Sequence, residues 1–227
     1  MPVERWRGSA GEFHARTVPP IEEATLWWFE VATPALVLGS TQPESVVDHP
    51  AAQASGVEVV RRRSGGGAVL LAPGTATWVD VLLPRTDPRW TDDVGRSFDW
   101  LGRAWVDALA ELGVAGAVVR TGPLLATTWS ALVCFAGLGP GEVTVGGRKV
   151  VGIAQRRTRD HARFQCAVLH RWDAAGIAAL VDPGAASRSE LAADLEPLAV
   201  GLEQLVDAEV PAPAVVAALA RAIAADG

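Results

Sequence analysis

Three consecutive glycines, Gly65, Gly66 and Gly67, interrupt a stretch that reads as strand on both sides. Before them, Val57 to Arg62 carries the β-branched residues that strands favour; after them come Ala68 to Leu71 and then Thr75 to Leu83, where Val79, Val81 and Leu83 share one face. A dinucleotide-binding turn is excluded, because GxGxxG is absent and no helix follows. A P-loop is excluded, because no Gly-Lys-Ser/Thr closes the loop. The spacing therefore predicts a β meander. Glycine in the loop permits positive φ and close approach of backbone N–H groups to a ligand, and Arg61, Arg62 and Arg63 offer charge-assisted bonds to a carboxylate or phosphate. A plain glycine-rich hairpin beside a solvated charge run fits the same residues.

The other strand signals lie at Leu26 to Val31, Ala35 to Leu38, Ala117 to Arg120, Glu142 to Val145, Lys149 to Gln155 and Ala162 to His170. Val94, Phe98, Leu101, Trp105, Leu109 and Leu112 recur at three- and four-residue steps, which predicts an amphipathic helix over Asp92 to Leu112. An alanine-rich helical tail is expected from Asp173 to Ala225. Strands first and helices after imply an α+β fold in one domain spanning residues 1–227, with no internal repeat. A formal net charge of −6 gives no general attraction to nucleic acid. No run of eighteen apolar residues and no signal-peptide pattern is present, so the expectation is a cytoplasmic protein that does not engage a membrane.

Two further constellations carry chemistry. Nineteen of the twenty basic residues are arginine, and Lys149 is the only lysine. It follows the turn Gly146-Gly147-Arg148 and opens a strand, where it is expected to contribute little packing. Period-two alternation puts Lys149, Val151, Ile153 and Gln155 on one face and Val150, Gly152 and Ala154 on the other. Small residues on one strand face leave room for a ligand chain, or for close packing against the predicted helix. Cys134 precedes a glycine-rich loop fifteen residues before Lys149 and reads as a nucleophile or as a small buried hydrophobe. Cys166 alternates with Phe164 and Val168 and fits the buried reading. No CxxC or Cys/His cluster indicates a metal.

The segments RRRSGGGAV (Arg61 to Val69) and GGRKVVGIAQRR (Gly146 to Arg157), separated by a long helix and preceded by WWFEVATPALVLGSTQ (Trp27 to Gln42), resemble the signature blocks of the lipoate-protein ligase and octanoyltransferase superfamily. The resemblance implies a mixed, mainly antiparallel β-sheet flanked by helices. It also implies an acyl tunnel lined by Arg62, Ser64, Gly65, Gly66 and Gly67, with Lys149 holding the acyl carboxyl or carbonyl oxygen; the small strand face of Gly152 and Ala154 is the place where the residues themselves leave room for the chain. In the ligases, lipoate or octanoate is joined to AMP from ATP with Mg²⁺, then passed to a lysine of a lipoyl domain on a 2-oxoacid dehydrogenase or of the glycine cleavage H protein. One subgroup instead takes octanoate from octanoyl acyl carrier protein through a cysteine thioester. This chain is similar to it at Cys134-Phe135, at Glu142 and in the cysteine-to-lysine spacing. Gly67 looks more like the ligases, because that subgroup usually carries a bulkier residue at the third loop position. The resemblance thus implies protein lipoylation, by acyl-adenylate or by a Cys134 thioester.

Three segments depart from the pattern. Val69 is followed by Leu70-Leu71-Ala72 in place of a histidine-aspartate pair, and Gln165-Cys166-Ala167 replaces a histidine-glycine. The short stretch GSAGEFHARTVPP stands where an N-terminal helix is expected. No C-terminal accessory domain of the kind many ligases carry is expected. These departures keep open a silent acyl-binding protein on the same fold. Biotin-protein ligase, which shares the fold, fits less well because its GRGRxGR-like loop is missing.

Overall fold

A computed structural model describes residues 1–225. Seven strands form the main sheet in the order β1-β2-β6-β10-β9-β8-β7: β1 Val3–Gly8, β2 Thr25–Val31, β6 Ala76–Pro84, β10 His161–Leu169, β9 Arg148–Arg157, β8 Val143–Val145 and β7 Ala117–Val119. Only β1 and β2 run parallel; every other pair in this sheet is antiparallel. A second sheet has the order β4-β3-β5, with β3 Ala35–Leu38 between β4 Glu58–Arg61 and β5 Val69–Leu71.

Period-two patterning decides how the layers stack. On β6, Val79, Val81 and Leu83 face one core with Leu101, Trp105 and Leu109 of α3 (Asp99–Glu111) and Val215 and Leu219 of α7 (Ala212–Ala225). Trp78 and Leu82 face the opposite way and meet Ala35, Val37 and Leu71 of the small sheet. The outer face of that sheet is covered by Ile177 of α4 (Ala174–Ala178) and Leu191 and Leu195 of α5 (Arg188–Leu195). Short helices α2 (His49–Ala54) and α6 (Leu202–Val206) lie in connecting segments.

Four sequence expectations change. The glycine segment is no hairpin and no part of a meander, because β4 and β5 pair with β3 on its two sides, β4 in parallel. The predicted helix over Asp92 to Leu112 starts later, with a 3₁₀ turn at Arg96–Phe98 ahead of α3; Val94 is 54% exposed. Near the N-terminus, the stretch GSAGEFHARTVPP, read as standing in place of a helix, holds the helix α1 (Ala10–Ala15), and the strand β1 precedes it without having been marked in the sequence. Ser9 caps α1, accepting from Glu12 N while the Glu12 carboxylate accepts from Ser9 N. Finally, β8 and β9 pair Val143 with Val151 but Thr144 with Lys149, so β9 spends two residues against one. Such a bulge reverses the alternation and turns Lys149 onto the face of Gly152 and Ala154.

Candidate active site

The glycine segment owes its shape to one buried guanidinium. Arg62 is 5% exposed and donates to the carbonyl oxygens of Val37, Gly65 and Gly67. It borders a cavity, but its donors are spent on the loop. The three glycines have separate reasons. Gly66 has φ +101°, and a Cβ there would stand 2.8 Å from an Arg62 nitrogen and 3.7 Å from Cys134 Sγ. A Cβ on Gly67 would lie 2.6 Å from the backbone carbon of Val133, whereas one on Gly65 would meet nothing within 4 Å. The space beside Gly67 is therefore filled by the segment that presents Cys134. Ala68 N donates to Leu132 O and Cys134 N donates to Ala68 O. Among the described residues, the N–H groups of Gly65, Gly66 and Gly67 make no hydrogen bond.

Lys149 is 1% exposed, against the expectation of a side chain with little packing. Its Nζ donates to Cys134 O at 3.0 Å and Gly137 O at 3.1 Å, and lies 2.6 Å from Glu142 Oε1. These three acceptors match the three protons of an ammonium. Glu142 also accepts from Ile153 N through Oε1 and from Gly139 N through Oε2, so one carboxylate joins the Cys134 loop to β9. The backbone of Lys149 is fixed as well, its carbonyl accepting from Val200 N.

Two cavities meet at Cys134. The inner one lies between the sheets and is almost wholly apolar, bounded by Val37, Val69, Leu71, Trp78, Gly152 and Ala154. The outer one opens to solvent at Gly65, Gly66, Gly67, Leu124, Glu142 and Lys149. Cys134, Ile153 and Ala154 line both. Among the described residues, Lys149 is the only cationic side chain lining the outer pocket, and Glu142 pairs with it.

Polar groups punctuate the far wall of the inner cavity. Ser64 Oγ donates to Gln165 Oε1, and Gln165 Nε2 lies 3.2 Å from His14 Nδ1. Burial, reinforced by Arg163 and Arg62, lowers the His14 pKa to about 3, so the ring is neutral. Behind it Arg163 pairs with the fully buried Asp80 and donates to the carbonyls of Arg16 and Phe13. Burial raises the Asp80 carboxyl pKa, and Arg163 opposes that. Cys166 belongs to the core against α3, and burial pushes its thiol pKa far up. Among the described residues, no group of three His, Cys, Asp or Glu could hold a metal ion, and no helix is long and apolar enough to cross a membrane.

The structure thus gathers Cys134, Lys149, the glycines 65 to 67, Gly152 and Ala154 around one site, while the predicted Ser64 lines neither cavity and reaches the inner one only through Gln165. Sequence reasoning missed His14 and the clamping role of Glu142, and marked Gln165 only as a departure from the resembled pattern, without a role. Glu142 had left a signal as well, as a point of likeness to the cysteine-dependent subgroup.

Residues 12–224 match the family model of the lipoyl protein ligase A/B catalytic domain. The octanoyltransferase LipM of Moorella thermoacetica is 28% identical, over 98% of this chain and 86% of the relative. That of Kyrpidia tusciae is 31% identical, over 93% of this chain and 77% of the relative. A solved structure of Ta0514, a lipoate protein ligase by its description, from T. acidophilum with bound lipoic acid, superposes with a TM-score of 0.74; at 18% identity it covers 99% of this chain and 84% of its own. With the mixed sheet, the glycine segment and the buried lysine in place, this chain belongs to the lipoyl protein ligase A/B catalytic domain family.

Proposed function

We propose that the protein is an ATP-independent acyltransferase of protein lipoylation. It takes a medium-chain acyl group, octanoyl or lipoyl, from acyl carrier protein onto Cys134 and passes it to a lysine of a lipoyl domain. The carrying observation is the place of Cys134, half-exposed where an apolar cavity meets a polar mouth, with its backbone clamped by Lys149. The thiolate attacks the donor thioester carbonyl; the carrier thiol leaves with the proton, and the acyl chain lies in the inner cavity. The acceptor amine then attacks the new thioester, an amide forms, and the Cys134 thiol is regenerated. Both steps pass through an oxyanion. The unpaired N–H groups of Gly65, Gly66 and Gly67 are preorganised donors for it, while Lys149, its protons spent on Cys134 O, Gly137 O and Glu142, fixes the backbone that carries the thiol.

An adenylating route needs the outer pocket to hold a triphosphate with Mg²⁺. Its lining offers one cation, already paired with Glu142, which favours the thioester route. The test compares acylation of a lipoyl-domain lysine from octanoyl acyl carrier protein without ATP against acylation from octanoate with ATP and Mg²⁺. Product in the first mixture alone is expected. Product in the second alone, with release of pyrophosphate, would replace the thioester route by acyl-adenylate chemistry. If neither yields product while octanoate binds, the protein is an acyl-binding module.

A further inference from the structure

We infer that Phe135, assisted by Val69, sets the longest acyl chain the inner cavity accepts, because together they form the wall between that cavity and a second apolar one. The inference rests on the acyl-binding reading of the inner cavity. The second cavity is bounded by Leu70, Leu169, Trp172 and Ile177, and among the described residues only Val69 and Phe135 line both. Beneath the wall the floor is continuous. Ala167 and Leu169 share a face of β10, with Ala167 in the inner cavity and Leu169 in the second.

Phe135 is a fixed partition. Its ring is 2% exposed, stacks on Trp172 with centroids 5.9 Å apart and lies 4.9 Å from Lys149 Nζ. From the third side Gly152 presses close, and a Cβ there would stand 3.3 Å from the ring edge. The ring also follows Cys134 by a single peptide bond, so the distance from the acylated sulfur to the wall is set by the backbone. A chain held on Cys134 meets the ring unless it bends away towards Leu71 and Trp78. Without the ring, the two cavities become one.

Calorimetry with straight-chain fatty acids from six to sixteen carbons reads this without any chemistry. Each methylene buried raises affinity about fourfold, so wild type should gain with length and then stop where the chain meets the wall. In Phe135→Ala the gain should continue, raising the twelve- to eight-carbon affinity ratio by at least about tenfold. Val69→Ala should shift the ratio the same way by less. An unchanged ratio in Phe135→Ala with eight-carbon binding retained overturns the inference, as does a shift produced by Leu71→Ala instead. Should Phe135→Ala not fold, judged by its thermal transition, Val69→Ala decides, and an unchanged ratio there is fatal. Wild type that binds no acid of any length refutes the acyl-cavity reading itself, and the wall proposal with it.

Discussion

The two ends of the inner cavity are built in opposite ways. At the mouth, the charged groups Arg62, Lys149 and Glu142 are spent mostly on backbone atoms: Arg62 on three carbonyls, Lys149 on two, Glu142 on two N–H groups. At the far wall, side chains bind side chains: Ser64 to Gln165, Gln165 to His14, Asp80 to Arg163. The difference teaches where each end can tolerate change. Backbone clamps fix the path of the chain and so the position of Cys134. A side-chain relay fixes the shape of the cavity wall and can be rebuilt with other polar residues of similar size.

The largest effect is expected at Lys149. Lys149→Ala leaves a buried carboxylate and two carbonyls without their partner, which costs about 3–5 kcal/mol and removes transfer. Lys149→Met with Glu142→Gln should regain most of the stability, because no charge is then left buried, but none of the activity. Urea unfolding of the single and double variants, followed by transfer assays, checks both halves.

Next comes the contrast within the glycine segment. Gly67→Ala drives a methyl group into the Val133–Cys134 backbone and should cost about 1–3 kcal/mol while displacing Cys134. Gly65→Ala meets open space and should stay within about 0.5 kcal/mol of wild type. Equal thermal midpoints for the two would break the claim that the third glycine exists for the Cys134 segment.

At the far wall, His14 makes stability depend on pH. Its folded-state pKa is depressed from 6.5 to about 3, so the folded protein keeps the ring neutral while the unfolded chain protonates it. That contribution is fully present above pH 6.5 and is lost as the pH falls from there towards 3. By pH 5 the loss amounts to about 2 kcal/mol. His14→Gln should remove this part, so its stability difference between pH 7.5 and pH 5 shrinks by that amount. The smallest effect belongs to Ser64→Ala, which deletes one hydrogen bond to Gln165 and should cost about 1 kcal/mol, visible in the urea midpoint with transfer intact.

The mouth was the legible end because its devices are glycines and a lone lysine, which stand out in a chain otherwise using arginine. Even there, alternation gave Lys149 the wrong face: a bulge adds one residue without any mark in composition. The strands β2, β3, β6, β9 and β10 were legible because apolar periodicity reports burial directly. The pairing of β4 and β5 across β3 was not, since adjacency in sequence suggests a hairpin and only tertiary packing decides otherwise. α1 was hidden by its length of six residues, too short for a periodic stripe, although its Ser9 and Glu12 capping box was there to be seen. His14 carries no motif and Gln165 is marked only as a departure from the resembled pattern; each matters because folding brings β10, α1 and the glycine segment together.

The most direct test of the account is whether Cys134 carries the acyl group. After incubation with octanoyl acyl carrier protein and no acceptor, the intact mass should rise by one octanoyl group. The adduct should be removed by hydroxylamine and absent from Cys134→Ser, with Cys166 unmodified in its buried core. An acceptor lysine octanoylated at the wild-type rate by Cys134→Ser would contradict it.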